Sequence, residues 1–203
     1  MTQKTVELFY DVGSTNSYFA LHLLQRLADR YDARVIYQPF NLGYVFRANN
    51  YVLMDEPKSK LINRKRDLMR WAERYNLPFS VPNRFPIKTS LALRGALAAR
   101  RFNLEQEYLF GVFSSYWEDG NENIDQSDCI LAIAKSLGIN REEFAEALDS
   151  KNVREALVTA TNSALKRNIF GAPSIVVGDE LFWGKDRMEF VEDELKKQSQ
   201  KSE

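Results

Sequence analysis

Residues 5–38 read TVELFYDVGSTNSYFALHLLQRLADRYDARVIYQ, and this stretch decides the fold. Its first six residues alternate and are rich in strand formers, and residues 34–38 form a second short run of the same kind. Between them, residues 17–31 carry apolar side chains at helical spacing. Two strands joined by a helix are expected to be parallel with a right-handed crossover, so residues 5–40 predict a βαβ unit. A ligand site is expected where the first strand ends.

The middle of the chain has a different pattern. From about residue 45 to residue 168 the strand signals disappear and the apolar spacing is helical. Three prolines between residues 77 and 86 exclude a regular helix there and predict a rigid loop that could wall a pocket. The predicted helices are Lys58–Tyr75, Thr89–Arg101, Leu104–Trp117, Ser127–Leu137, Arg141–Asp149 and Val153–Asn168.

Strand signals return after Pro173. Residues 174–177 and 181–183 flank a Gly-Asp turn and predict a β-hairpin, which a helix from Asp186 follows. The order βαβ, helical block, ββα predicts an α/β protein: a thioredoxin-like fold with a large all-helical insertion between its two halves. The predicted thioredoxin-like domain comprises residues 1–45 and 169–203, and the predicted insertion comprises residues 46–168.

Composition narrows the classes of function. The 28 Lys and Arg residues balance 28 Asp and Glu residues, so no global basic field attracts nucleic acid or anionic lipid, and a small-molecule function fits better. The first residues lack the apolar core of a secretory signal, and no apolar run approaches the length of a membrane span. We therefore expect a soluble, cytoplasmic protein without nucleic-acid or membrane partners. The single cysteine, Cys129, excludes a dithiol redox couple within one chain.

Five segments in a fixed order resemble one family. The segment Phe9–Ala20 is similar to the opening of the 2-hydroxychromene-2-carboxylate isomerases and kappa-class glutathione transferases, a group related to the DsbA oxidoreductases. Two positions depart from the family pattern: Thr15 replaces a proline, and Lys88 replaces an asparagine. The other four segments are DLMRWA (67–72), FPIKT (85–89), IFGAP (169–173) and FWGKDR (182–187), so the resemblance spans nearly the whole chain.

The resemblance assigns a role to the start of the first helix. Dithiol oxidoreductases of this fold carry two cysteines there, and here those positions fall in Ser14-Thr-Asn-Ser17, so a redox relay is chemically impossible. The helix N-terminus would still favour an anion beside Ser14, and a hydroxyl donor there can lower the pKa of a thiol. The resemblance implies that the cofactor glutathione supplies that thiol and that Ser14 is catalytic. An ordinary helix N-cap is the alternative for Ser14.

Further glutathione contacts are implied in the same way. Ala172-Pro173 resembles the cis-proline site whose exposed backbone pairs with the ligand, although a trans-proline at a strand start is the alternative. Lys185 and Asp186 would both contact glutathione. Asp186 would bind the ammonium of the γ-glutamyl end, and capping of the last helix is the alternative for it. Lys60 lies in a basic helical stretch and would pair with a carboxylate of glutathione or of the substrate.

Other side chains are considered for the second substrate or for structure. Tyr18, Lys88 and the proline-rich loop would border the aromatic substrate. Either Asn49 or Asn50 could add an amide contact, and the sequence leaves that choice open. We interpret His22 as structural and Cys129 as a buried small hydrophobe, and no Cys/His spacing suggests a metal.

By resemblance, the expected reaction interconverts 2-hydroxychromene-2-carboxylate and trans-o-hydroxybenzylidenepyruvate, a step of naphthalene breakdown in aromatic catabolism. The partner is thus a small aromatic oxo-acid. Glutathione thiolate would act as a transient nucleophile and be returned unchanged. A kappa-type glutathione transferase or peroxidase is one alternative, and a non-catalytic, thiol-free binding module on the same fold is another. A homodimer is expected by analogy with the family.

Overall fold

The computed structural model describes residues 3–52 and 56–200. Residues 1–2 and 201–203, at the ends of the predicted thioredoxin-like domain, and residues 53–55, in the predicted insertion, lie outside the described residues. The elements are β1 (Lys4–Tyr10), α1 (Thr15–Tyr31), β2 (Ala33–Pro39), α2 (Leu42–Ala48), α3 (Lys58–Tyr75), α4 (Ser90–Ala99), α5 (Glu105–Trp117), α6 (Ser127–Ser136), α7 (Arg141–Asp149), α8 (Lys151–Lys166), β3 (Ser174–Val177), β4 (Glu180–Trp183) and α9 (Met188–Gln200).

The strands of the described chain form one four-stranded sheet in the order β2-β1-β3-β4. Strand β1 pairs with β2 in parallel, as predicted for the βαβ unit. Strand β3 is antiparallel to β1, and β4 is antiparallel to β3. Phe9, Ser174 and Trp183 consequently lie side by side in one row across three strands. This row lies near the C-terminal end of β1, where the candidate site begins.

Side-chain caps set the start of several helices. The hydroxyl of Ser14 accepts a hydrogen bond from the Ser17 N–H and caps α1. In the helical block, the side chain of Asn140 accepts hydrogen bonds from the N–H groups of Glu142 and Glu143 and caps α7. Such caps satisfy N–H groups that have no partner within the helix.

Helix α2 was not predicted from the sequence. It has seven residues, of which only Val45 is buried, so it carries no repeating apolar stripe. Asn41 caps it by accepting a hydrogen bond from the Tyr44 N–H at 2.8 Å. A second difference concerns the predicted helix Thr89–Arg101, which ends at Ala99 and continues as a short 3₁₀ turn over Arg100–Phe102.

The sheet has an apolar cluster on each face. The larger cluster joins Leu8, Ile175 and the helical block, and α9 contributes Val191 to it. The smaller cluster lies on the opposite face, where Phe9 and other side chains meet α2 and α8. Within the described ranges, every regular element between residues 42 and 168 is helical. None of the helices described is long and apolar enough to cross a membrane.

Candidate functional site

Ser14 lies at the junction between β1 and α1 and is 8% exposed. Its Oγ accepts a hydrogen bond from the Ser17 N–H at 3.2 Å and donates to the carbonyl oxygen of Ala172 at 2.9 Å. The hydroxyl is therefore a helix cap, which was one of the two interpretations, and also a link to the segment before Pro173. Because the hydroxyl has one proton, a ligand at Ser14 would compete with the Ala172 carbonyl for it.

The segment facing Ser14 has the predicted backbone form. The Ala172–Pro173 peptide bond is cis. The Gly184 N–H donates to the Pro173 carbonyl at 3.0 Å and fixes the end of β4 beside this segment. No acceptor in the described part of the chain pairs with the N–H of Ala172, nor with those of Thr15 and Asn16 at the start of α1. The segment that binds the Ser14 hydroxyl and the start of α1 thus both carry unpaired donors, and the α1 N-terminus adds a positive potential.

Asp11 organises the loop before Ser14, a role that we did not predict. This buried carboxylate accepts hydrogen bonds from the Gly13 N–H and the Leu42 N–H, both at 2.9 Å, and from the Thr89 side chain. Burial nevertheless raises the pKa of Asp11. The carboxylate joins the β1–α1 loop to the starts of α2 and α4. The sequence signal for this role was a polar residue directly after an apolar strand. It could not identify the partners Leu42 and Thr89, because both are distant in the sequence.

Lys185 is buried at the turn after β4. Its ammonium lies 4.5 Å from the ring centroid of Trp71 and 3.8 Å from a carboxylate oxygen of Asp67. Burial lowers the pKa of Lys185, and only 8% of the residue is exposed. Among the residues described, none accepts a hydrogen bond from this ammonium. The arrangement leaves a buried cation with unused donors beside α3.

Asp186 follows Lys185 in the same turn and is half-exposed. Its carboxylate pairs with Arg187 at 2.5 Å and does not cap the last helix, which begins at Met188. The predicted start of that helix at Asp186 is therefore replaced by a 3₁₀ turn over Lys185–Arg187. The carboxylate can still receive a cationic ligand group, because its partner is an exposed arginine.

We expect Gly184→Ala to disturb this turn. Gly184 has a φ of +110°, and a Cβ atom there would lie 2.5 Å from an oxygen of the Asp186 carboxylate. The backbone strain and the contact together should lower the free energy of unfolding by about 1–3 kcal/mol, as measured by urea denaturation. Gly138→Ala is the matched control for a left-handed backbone without a close contact. A loss in Gly184→Ala no larger than in the control would show that the Asp186 contact does not matter.

Lys60 and the two asparagines lie away from Ser14. The ammonium of Lys60 is 3.0 Å from the carboxylate of Glu56, and 61% of its side chain is exposed. Asn49 donates to the Val45 carbonyl at the end of α2, and Asn50 is exposed with a left-handed backbone. In the described chain no contact joins these three side chains to Ser14. Their roles in binding stay predictions.

Tyr18 lies inside the core. It is fully buried, and its hydroxyl contacts the Pro78 carbonyl and, at 3.0 Å, the carboxylate of Glu118. Its ring lies 5.6 Å from that of Phe79, and burial raises the pKa of its hydroxyl. The tyrosine packs on the core side of α1, and its predicted contact with the substrate stays a prediction. Its role here is to hold the proline-rich loop.

Lys88 lies where the proline-rich loop meets α4. It is exposed at an open cavity of about 650 Å³, and the next residue, Thr89, packs closely against Gly13. Lys88 is therefore the residue before one that contacts the loop preceding Ser14. Its predicted contact with the substrate stays a prediction. The other residues lining the cavity are Arg84, Pro86, Ile87, Asp125 and Gln126.

The remaining candidates are structural. The ring of His22 packs against those of Tyr18 and Phe110, and burial lowers its pKa. Cys129 is half-buried and accepts a hydrogen bond from Asn121 at 3.2 Å, and burial raises the pKa of its thiol. It is less buried than we predicted. The described residues contain no cluster of three or more His, Cys, Asp or Glu side chains that could hold a metal.

Comparison with known proteins places this geometry in a family. The model of the DSBA-like thioredoxin domain matches residues 5–196. The chain is 31% identical to a 2-hydroxychromene-2-carboxylate isomerase from Pseudomonas sp. (strain C18), covering 92% of this chain and 88% of that protein. A solved structure of a 2-hydroxychromene-2-carboxylate isomerase superposes with a TM-score of 0.87 at 28% identity, covering 98% of this chain and 97% of that one.

A glutathione transferase is also similar. Glutathione S-transferase kappa 1 from Homo sapiens is 26% identical over 203 residues, which cover 93% of this chain and 89% of that protein. These matches confirm the α/β fold that we predicted, a thioredoxin-like fold with a helical insertion. The chain belongs to the DSBA-like thioredoxin domain family and, within it, to the group of 2-hydroxychromene-2-carboxylate isomerases and kappa-class glutathione transferases.

Proposed function

We propose that this protein is an enzyme that uses glutathione as a cofactor to interconvert 2-hydroxychromene-2-carboxylate and trans-o-hydroxybenzylidenepyruvate. One observation carries the proposal: the Ser14 hydroxyl at the α1 N-terminus lies 2.9 Å from the carbonyl of Ala172, and the N–H groups of Thr15, Asn16 and Ala172 have no partner in the described chain. A serine in this place can hold a thiolate but cannot form a disulfide. The names of the isomerase relatives support the reaction, and the kappa-class relative supports the use of glutathione.

When bound, glutathione would supply a thiolate for reversible addition to the conjugated carbon of the substrate, a reaction that turns a carbon–carbon double bond into a single bond free to rotate and whose reversal returns glutathione unchanged. The chain would contribute by stabilising negative charge. The N–H groups of Thr15 and Asn16 and the helix dipole favour an anion, and Ser14 can turn its proton from the Ala172 carbonyl towards sulfur. The Ala172 N–H is free to pair with a carbonyl of the ligand backbone.

The charged ends of the ligands would find complementary groups nearby. The buried ammonium of Lys185 has unused donors that suit a carboxylate, and the half-exposed Asp186 suits the γ-glutamyl ammonium. Lys88, which lines the open cavity and directly precedes Thr89, the residue packed against Gly13, suits the carboxylate of the oxo-acid. Lys60 would contribute only if its side chain leaves Glu56.

The biological setting is part of the same proposal. An enzyme for this aromatic oxo-acid belongs in the breakdown of naphthalene and related compounds, in the cytoplasm where glutathione is reduced. A homodimer is proposed by analogy with the family, and sedimentation measurements test it.

We expect saturating reduced glutathione to raise the melting temperature by about 5 °C or more, because it binds only the native state. The same sample should isomerise the chromene substrate. Cys129→Ser is the matched control: its activity should equal that of the wild type, since the reacting thiol comes from the ligand and not from the chain. S-methylglutathione, which lacks a thiol, should bind without supporting turnover.

Other outcomes distinguish the alternatives. An unchanged melting curve would favour a binding module that does not use glutathione. Conjugation of glutathione to 1-chloro-2,4-dinitrobenzene, with no effect on the chromene substrate, would favour a kappa-type transferase. Loss of turnover in Cys129→Ser would contradict the proposal directly.

A further inference from the structure

Two exposed aromatic rings stand beside the candidate site without a role in the proposed chemistry. The rings of Phe170 and Trp183 are 5.3 Å apart at an angle of 58°. Phe170 is 47% exposed and Trp183 is 53% exposed, although both are large apolar side chains. We propose that this pair, the aromatic platform, is the surface against which the ring of the aromatic oxo-acid stacks. The inference rests on the proposed function, because it names a binding subsite for that substrate.

The pairing of the strands places Trp183 near the C-terminal end of β1, where the candidate site begins. Trp183 pairs with Ser174 and lies in the row that ends at Phe9, at the edge of the sheet where β1 ends. Strand alternation turns Phe182 into the larger core, so Trp183 faces the opposite side of the sheet. On that side the sheet is covered by α2 and α8 near β1, whereas the described chain leaves Trp183 largely exposed.

Contacts with the backbone fix the platform relative to Ser14. A Cβ atom at Gly171 would lie 2.5 Å from the indole nitrogen of Trp183, so the indole packs directly on the Gly171 backbone. The next residue is Ala172, whose carbonyl binds the Ser14 hydroxyl at 2.9 Å. The hydrogen bond from Gly184 to Pro173 holds the residue after Trp183 against the same segment. The indole therefore packs on the residue next to Ala172, the residue that binds the Ser14 hydroxyl.

Chemistry favours an aromatic ligand at this place. Aromatic rings prefer offset or edge-to-face contacts with other rings, and a tilted pair offers both a face and an edge to a third ring. The same two segments supply the proposed glutathione contacts at Ala172 and Asp186. A substrate ring that stacks on the platform would thus be held next to the sulfur while its oxo-acid end stays free for a cation.

The test uses direct binding of benzylidenepyruvate, an oxo-acid with the substrate's ring and conjugated chain, measured by titration calorimetry on the full-length protein with and without glutathione. We expect Trp183→Leu and Phe170→Leu each to weaken its binding by about 3- to 10-fold. Trp183→Phe should recover part of the loss, and pyruvate, which has no ring, should bind all variants alike. Phe190→Leu is the matched control, since Phe190 is equally exposed on α9 and has no ring contact with the platform in the described chain.

The outcomes separate this inference from the proposed function. The glutathione-induced rise in melting temperature should be the same in Trp183→Leu as in the wild type. If glutathione raises the melting temperature of neither protein, the result counts against the proposed function alone. Equal binding of benzylidenepyruvate to the wild type, Trp183→Leu and Phe170→Leu overturns the platform, whether or not glutathione binds. Conversion of a dimer to monomers by Trp183→Leu would also overturn it, because the rings would then contact a second copy of the chain.

Discussion

Replacing Ser14 with alanine is expected to lower the rate of the proposed isomerisation at neutral pH by about tenfold or more. The variant lacks the hydroxyl that can donate to a thiolate, and a charge-assisted hydrogen bond of this kind contributes roughly 1.5–3 kcal/mol. The pKa of the bound thiol should therefore rise by about one to two units, since each unit corresponds to about 1.4 kcal/mol. Part of the lost rate should return at alkaline pH.

The same substitution has a structural effect that must be measured separately. Ser14 caps α1 and binds the Ala172 carbonyl, so its removal should also lower the free energy of unfolding by about 1 kcal/mol. Ser17→Ala is the matched control, because the buried Ser17 hydroxyl has no hydrogen-bond partner in the part of the chain that the structure describes. That control should keep both stability and activity.

An absorbance titration of the thiolate in both complexes, with rates on the chromene substrate, is the measurement. If the bound thiol ionises alike in wild type and Ser14→Ala and turnover is equal, Ser14 is only a helix cap. If Ser17→Ala loses as much activity as Ser14→Ala, the effect comes from the helix end and not from the Ser14 hydroxyl.

The sequence predicted those parts of the fold that depend on repeated local patterns. The predicted positions of strand β1, helix α1 and the final hairpin agree with the structure to within a few residues. Helix α2 was missed because it has only seven residues and a single buried side chain, Val45, so that no period can be recognised. Its start depends on Asn41 and on the distant carboxylate of Asp11.

Some residues of the candidate site could likewise be predicted from the sequence, and others could not. Ser14 and Ala172 are 158 residues apart, and only the order of the motifs indicated that they meet. The burial of Tyr18 could not be predicted, because helical spacing shows which residues share a face but not whether that face meets a ligand or the core. The burial of Lys185 depends on Trp71 and Asp67, two side chains of a helix more than 100 residues away in the sequence.

Replacing Asp11 with alanine should have the largest effect on stability among the substitutions considered. It removes the acceptor for two partly buried backbone N–H groups, those of Gly13 and Leu42, and for the Thr89 side chain. Each buried donor left unpaired costs about 1–3 kcal/mol, and since water reaches part of these groups we expect the free energy of unfolding to fall by about 2–4 kcal/mol in urea denaturation at pH 7. Asp128→Ala, which removes an exposed carboxylate paired with Arg141, should lose less than about 1 kcal/mol.

The pH dependence of this loss tests the balance between burial and hydrogen bonding at Asp11. Burial raises its pKa, so the native state keeps the proton to a higher pH than the unfolded chain, whose aspartates titrate near about 3.9. The contribution of Asp11 to the free energy of unfolding should then decrease as the pH rises from about 4 through the native pKa. The difference in stability between wild type and Asp11→Ala should narrow over that interval but stay positive, because the carboxylate still accepts its hydrogen bonds. If the difference instead widens with pH, the hydrogen-bond donors lower the pKa of Asp11 by more than burial raises it. The loop before Ser14 would then be held by a carboxylate that is ionised at every pH where the enzyme works.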